Sequence, residues 1–163
     1  MDGSGSRFLS KISTRIGGVD GKNQPIMSRV VYTPGVWDLL HIGHLNIIRE
    51  AKSYGDRLVV GVCSDEITKE TKECWPAIRE AHRAELVASI RYVDETYVYS
   101  NLDQSAQLAK FDVSVFVVGE EFGSQGIKEH AVALDYCKRN DVQVIRVGRF
   151  KGISTTLIKE NLK

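Results

Sequence analysis

Gly35-Val36-Trp37-Asp38-Leu39-Leu40-His41-Ile42-Gly43-His44 is the stretch from which the fold of this 163-residue chain is read. Ahead of it, Arg29-Val30-Val31-Tyr32 is β-branched and aromatic, the composition of a buried strand. Behind it, Leu45-Asn46-Ile47-Ile48-Arg49-Glu50-Ala51-Lys52-Ser53-Tyr54 repeats its apolar positions at helical spacing until Gly55 interrupts them. The spacing predicts a strand, a turn at Pro34-Gly35 and a helix opening near His44. Such a turn aims backbone N–H groups and the positive end of the helix dipole at one spot, which suits an anion. His41 and His44, three residues apart, fall on one side of the helix start. Gly43 between them carries no side chain, so a phosphate can approach the backbone. Zinc would need a third ligand, and neither His82, His130 nor any cysteine stands at ligand spacing to the pair.

From Arg29 onward, strand and helix patterns alternate. Arg57–Cys63 is an apolar run after a Gly-Asp turn and reads as the second strand. Ser64-Asp65-Glu66 forms a cap after it, and the polar, lysine-rich segment to about Pro76 reads as a mobile loop. Glu80–Ile90 is amphipathic with Leu86, Val87 and Ile90 inward; Thr96–Tyr99 is a third strand and Gln104–Lys110 a helix. Val113–Val118 is a fourth strand, residues 127–139 a helix, Val142–Val147 a fifth strand, and the last helix opens at Ser154. Short apolar strands separated by helices imply α/β architecture: one Rossmann-like, doubly wound domain with a five-stranded parallel sheet. Ligands of such sheets sit beyond the carboxyl ends of the strands, where the strand order reverses.

Composition narrows the partners. A formal net charge of +1 gives no global pull towards nucleic acid or an anionic membrane, and no apolar run approaches the ~20 residues of a membrane span. Cys63, Cys74 and Cys137 are odd in number and form no CxxC pair, which fits a reducing, cytoplasmic setting. Residues 1–27 differ in kind: Met1–Gly5 is Gly/Ser-rich, Gly17-Gly18 and Asp20-Gly21 punctuate the rest, and Arg7, Lys11 and Arg15 recur every four residues. They read as a flexible extension, with a short basic amphipathic helix as the alternative, which leaves residues 28–163 as the domain.

Three motifs taken together, Gly35–His44, Arg91-Tyr92-Val93-Asp94-Glu95 and Gly152-Ile153-Ser154-Thr155-Thr156, resemble the cytidylyltransferase family, and most of all its glycerol-3-phosphate members. The resemblance spans Ser28 to Lys163. It implies transfer of CMP from CTP, with Mg²⁺ carried in on the nucleotide, to a small phosphorylated alcohol. A phosphate monoester, with a second pKa of about 6, is already a dianion at pH 7 and needs no general base. The difficulty is charge repulsion from the triphosphate, so catalysis becomes positioning and cationic stabilisation at the α-phosphorus.

Carried over residue by residue, the resemblance makes His41, His44, Lys72 and Arg149 the catalytic set, with Lys69 the rival for the loop lysine. Gly35, Val36, Trp37, Gly43, Arg91, Gly119, Glu120, Ile153, Ser154 and Thr155 would bind nucleotide. Asp38, Lys72 and Arg83 would meet the acceptor. Arg83 and Arg91, eight apart, are expected on one face of one helix. The chain departs from the family at Val36, Glu120 and Phe150, where small polar residues, Asp or Asn, and Thr are usual. A homodimer through the Arg91–Glu95 region is implied as well. Phosphocholine, phosphoethanolamine, sugar phosphate and phosphonate acceptors stay open, as do an adenylyltransferase of the same fold and a catalytically silent nucleotide-binding subunit. Trp37, Trp75 and Phe150 are candidate walls for a choline-like head. A tRNA synthetase is excluded by length and by the lack of a Lys-Met-Ser-Lys-Ser-like loop.

Overall fold

The computed structural model describes residues 28–124 and 126–162; the expectations for residues 1–27 lie outside them. Five parallel strands, β1 (Val30–Gly35), β2 (Arg57–Cys63), β3 (Glu95–Tyr99), β4 (Val115–Gly119) and β5 (Gln143–Val147), form one sheet in the order β3-β2-β1-β4-β5. Six helices connect or flank them: α1 (Ile42–Lys52), α2 (Asp65–Lys72), α3 (Glu80–Ala88), α4 (Ser105–Lys110), α5 (Lys128–Arg139) and α6 (Thr155–Asn161). This is the doubly wound Rossmann-like domain that the alternation implies.

Period-two alternation sorts the strand side chains into two cores. Val31, Leu58, Val60, Val115 and Val117 pack with Ile48 and Ala51 of α1 and Val87 of α3 on one face. Tyr32, Val59, Phe116 and Val118 pack with Leu108 of α4 and Ala133 and Cys137 of α5 on the other. Because both faces are covered, the central strands are apolar at nearly every position. Among the described residues no helix is long and apolar enough to cross a membrane.

Beyond shifts of one or two residues at element ends, and the exposure of Leu86 on α3 where an inward position was expected, two readings change. Pro34 and Gly35 belong to β1 and pair in register with Gly61 and Val62, so the turn is Val36–Leu40. Pro34 is tolerated in a central strand because the β1–β4 register pairs Val31 with Val115 and Tyr32 with Phe116, short of the proline. Secondly, the polar segment after Ser64 is a helix, α2, not a loop. Ser64 accepts the Ile67 N–H at its N-cap, and Asp65 and Glu80 cap each other's backbone N–H groups at 3.0 and 2.6 Å. The buried carboxylate of Asp65 also takes Arg83 at 2.7 Å. Local hydrophilicity concealed a helix secured by tertiary ion pairing.

Candidate active site

The strand order reverses between β1 and β4, and there the two strands stop pairing and separate. Into the gap opens a cavity of about 880 Å³, lined from below by Thr33, Pro34, Gly35 and Gly119. The Val36–Leu40 turn forms one wall. Trp37 and Leu39 in it hold left-handed backbones, with φ of 58° and 47°, a conformation costing non-glycine residues about 1–2 kcal/mol each. Burial of the Trp37 ring and its Nε1–H bond to the Gly61 carbonyl, at 2.7 Å, hold that turn in place. The ring lies so close over Gly35 that a Cβ there would fall 2.6 Å from it, which explains the glycine.

His41 is the N-cap of α1, accepting the Gly43 N–H on Nδ1 at 3.1 Å. A neutral His41 therefore carries its proton on Nε2. Its ring stacks on His44 at 3.9 Å between centroids, and His44 meets the edge of Trp37 at 5.4 Å. A Cβ on Gly43 would stand 2.8 Å from the His41 ring, so close imidazole stacking needs a glycine between the pair. Burial, with the neighbouring His41 adding to it against a small opposing pull from Asp38, lowers the His44 pKa to about 4; burial also lowers that of His41. Both rings are thus neutral at pH 7, and the buried Nδ1 of His44 has no hydrogen-bond partner in the protein.

The cations come from three separate elements. Lys72 ends α2, Arg149 follows β5, and Lys159 lies on α6; all three line the cavity. Arg149 is ion-paired to Glu121 at 2.8 Å on the exposed rim. Lys69 turns away and caps α2 by donating to the Glu73 carbonyl at 3.0 Å.

Of the residues read from sequence, Gly35, Val36, Trp37, Asp38, His41, Gly43, His44, Lys72, Gly119, Arg149, Ile153, Ser154 and Thr155 line this cavity. Three do not. Arg83 is completely buried, its guanidinium shared among the carbonyls of Val36, Cys63 and Ile78 and the Asp65 carboxylate, so it cannot reach a substrate. Arg91 lies beyond the end of α3, exposed and folded over the Tyr92 ring at 4.9 Å; it shares no face with Arg83. Glu120 is exposed outside the cavity, where β4 contributes Gly119 instead.

Other roles change in kind. Asp38 is buried and its carboxylate is engaged by the N–H groups of Ala77 and Ile78, at 2.9 and 3.0 Å, and by Lys159 at 2.8 Å. Burial would raise its pKa, but these donors outweigh it and hold the carboxyl below the usual range. Thr155 donates its hydroxyl to the Asp38 carbonyl at 2.9 Å, and Ser154 caps α6 through the Leu157 N–H, so both hydroxyls fasten α6. Trp37 belongs to the core, which leaves Trp75 and Phe150 as exposed aromatics at the cavity. Lys159 was missed by the sequence reading, although its place four residues after Thr155 puts it on the same helix face. Glu160, Thr68 and Cys74 at the cavity left no such signal.

Known proteins agree with this architecture. A family model described as cytidylyltransferase-like matches residues 32–161. A glycerol-3-phosphate cytidylyltransferase of Bacillus subtilis is 34% identical over 134 residues, covering 81% of this chain and 95% of its own. An FAD synthase of Thermococcus kodakarensis is 34% identical over 123 residues, covering 68% of this chain and 83% of its own. The crystal structure of a lipopolysaccharide core biosynthesis protein from Thermoplasma volcanium superposes with a TM-score of 0.64 at 25% identity, over 76% of this chain and 99% of that one.

Proposed function

This chain belongs to the cytidylyltransferase-like family of nucleotidyltransferases, and we propose that it transfers CMP from CTP to a small phosphorylated alcohol. An acceptor phosphate oxygen attacks the α-phosphorus, the bond to the bridging oxygen breaks, and pyrophosphate leaves with the electron pair. No proton has to be removed from the nucleophile, because the phosphate monoester is already ionised. The observation that carries this reading is the stacked His41–His44 pair at the start of α1, opening on a cavity lined by Lys72 and Arg149.

The roles follow from that geometry. His41, with its proton on Nε2, donates to phosphate oxygens, and His44, neutral beside it, offers a ring N–H to the α-phosphoryl group as it becomes more anionic. Lys72 and Arg149, from two separate elements of the cavity lining, oppose the mutual repulsion of the two phosphorylated substrates. Gly119 and Ile153 frame the nucleoside. Asp38 holds the turn, the α2–α3 connection and α6 together around the site. Magnesium enters as part of the nucleotide substrate; among the described residues no group of three or more His, Cys, Asp or Glu could hold a metal ion.

The FAD synthase relative keeps adenylyl transfer in view as the second reading. Pyrophosphate release, measured with CTP against ATP across a panel of phosphorylated alcohols, separates the two. CTP with a phospho-alcohol is the pair expected to give turnover; turnover with ATP alone overturns the proposal.

A further inference from the structure

The buried end of the cavity is internally neutralised. Asp38 is 3% exposed, and each carboxylate oxygen accepts from a backbone N–H, Oδ1 from Ile78 and Oδ2 from Ala77. Lys159 Nζ then closes on Oδ2 at 2.8 Å. The cavity's other carboxylate, Glu160, stands exposed at the rim. An acceptor reaching the inner end thus meets no free anion. It meets an ammonium whose charge is spent on Asp38 but which has three N–H bonds and gives one to that carboxylate.

On the reading of this cavity as a site for CTP and a phosphorylated alcohol, we infer that Lys159 sets acceptor specificity: by occupying Asp38 it excludes an ammonium head group and selects a neutral, hydroxylated one. A choline or ethanolamine head would have to displace Lys159 from Asp38, leaving one of two cations unpaired in a partly buried place. A polyol displaces nothing, because its hydroxyl oxygens accept the remaining Lys159 N–H bonds and Asp38 keeps its three donors. A site built around a polar group discriminates more strongly than an apolar pocket does, because the wrong ligand leaves that group unpaired. Trp75 and Phe150, exposed residues of the cavity lining, supply apolar walls without a buried anion.

The experiment compares sn-glycerol 3-phosphate and a five-carbon polyol phosphate with phosphoethanolamine and phosphocholine, reading CTP-dependent pyrophosphate release. The parent enzyme is expected to prefer the polyol phosphates by about a hundredfold or more in kcat/KM. Lys159→Met should shrink that preference by roughly tenfold or more, mainly through acceptor KM, with KM for CTP little changed; Lys159→Arg should retain it. A parent enzyme that takes an ammonium acceptor as well as a polyol phosphate overturns the inference whether or not the variant folds. So does a folded Lys159→Met with the parent's preference. Absence of CTP-dependent turnover with every acceptor instead overturns the cytidylyl-transfer reading, and the inference with it.

Discussion

At the scale of single residues, His44 and Arg83 show how burial divides function from structure. His44 sits in a half-buried stack that disfavours its charged form, so it waits neutral for an anion. If it stabilises the transition state, His44→Ala should lower kcat by about a hundredfold or more, the scale of a single preorganised donor. Its pKa also makes a stability prediction. The folded value of about 4 lies below the ordinary 6.5, so between those pH values the unfolded chain binds more protons and stability falls as pH falls. The loss, up to ~3 kcal/mol, should appear in urea unfolding between pH 7 and pH 4 and be reduced in His44→Ala. Arg83 is the opposite case. Its guanidinium joins β2, the β1–α1 turn and Asp65, with no surface left for substrate. Arg83→Ala should therefore cost about 3–5 kcal/mol of stability by denaturant titration, because the Asp65 carboxylate is left buried and incompletely paired.

At the scale of elements, α2 separates the two loop lysines. An i,i+3 pair shares a helix face, so what separates Lys69 from Lys72 is what each side chain meets at the end of the helix. Lys69 is used up capping the helix's own C-terminus at Glu73, whereas Lys72, the last helical residue, faces the cavity. Lys72→Ala should reduce kcat by roughly a hundredfold while leaving the melting temperature near that of the parent. Lys69→Ala should keep full turnover and lose at most a few tenths of a kcal/mol of helix stability. Steady-state kinetics of the two variants side by side check the assignment, and reversal of the two results would reject it.

At the scale of the whole molecule, the sheet ends at β3, and this edge bears on assembly. Val98 on β3 and Leu86 on α3, which packs beside it, are both exposed. Tyr92 and Val93 are half-buried against the first core, so the apolar surface on this side belongs to Leu86 and Val98. The family resemblance implies a homodimer here, and burying these side chains would give it a driving force. Light scattering at micromolar concentration should report a dimer, and Leu86→Asp should shift it towards monomer. A compact, fully active monomer would dismiss the dimer and leave the site assignment standing. Because Arg91 stands outside the cavity, loosening this edge is not expected to remove a phosphate ligand.

Much of this protein was determined by local sequence alone. The β-branched runs, the helical periodicities and the glycines at 35 and 43 specify a parallel sheet with a phosphate-type turn after its first strand, because period and chain geometry act over neighbouring residues. The His41–His44 pair and the residues of the last motif were legible for the same reason: each is a local feature at the end of a strand or the start of a helix. Tertiary structure decided what long-range charge and burial decide. Arg83 left the site for the core because Asp65 and the carbonyls of Val36 and Cys63, distant in sequence, surround it together with the nearby Ile78 carbonyl. The polar stretch after Ser64 became a helix because Glu80, 15 residues away, caps it. Lys159 entered the site because α6 folds back across 121 residues of chain to meet Asp38. Coulomb attraction and desolvation depend on separation in space, and only the folded sheet brings these residues within reach of one another.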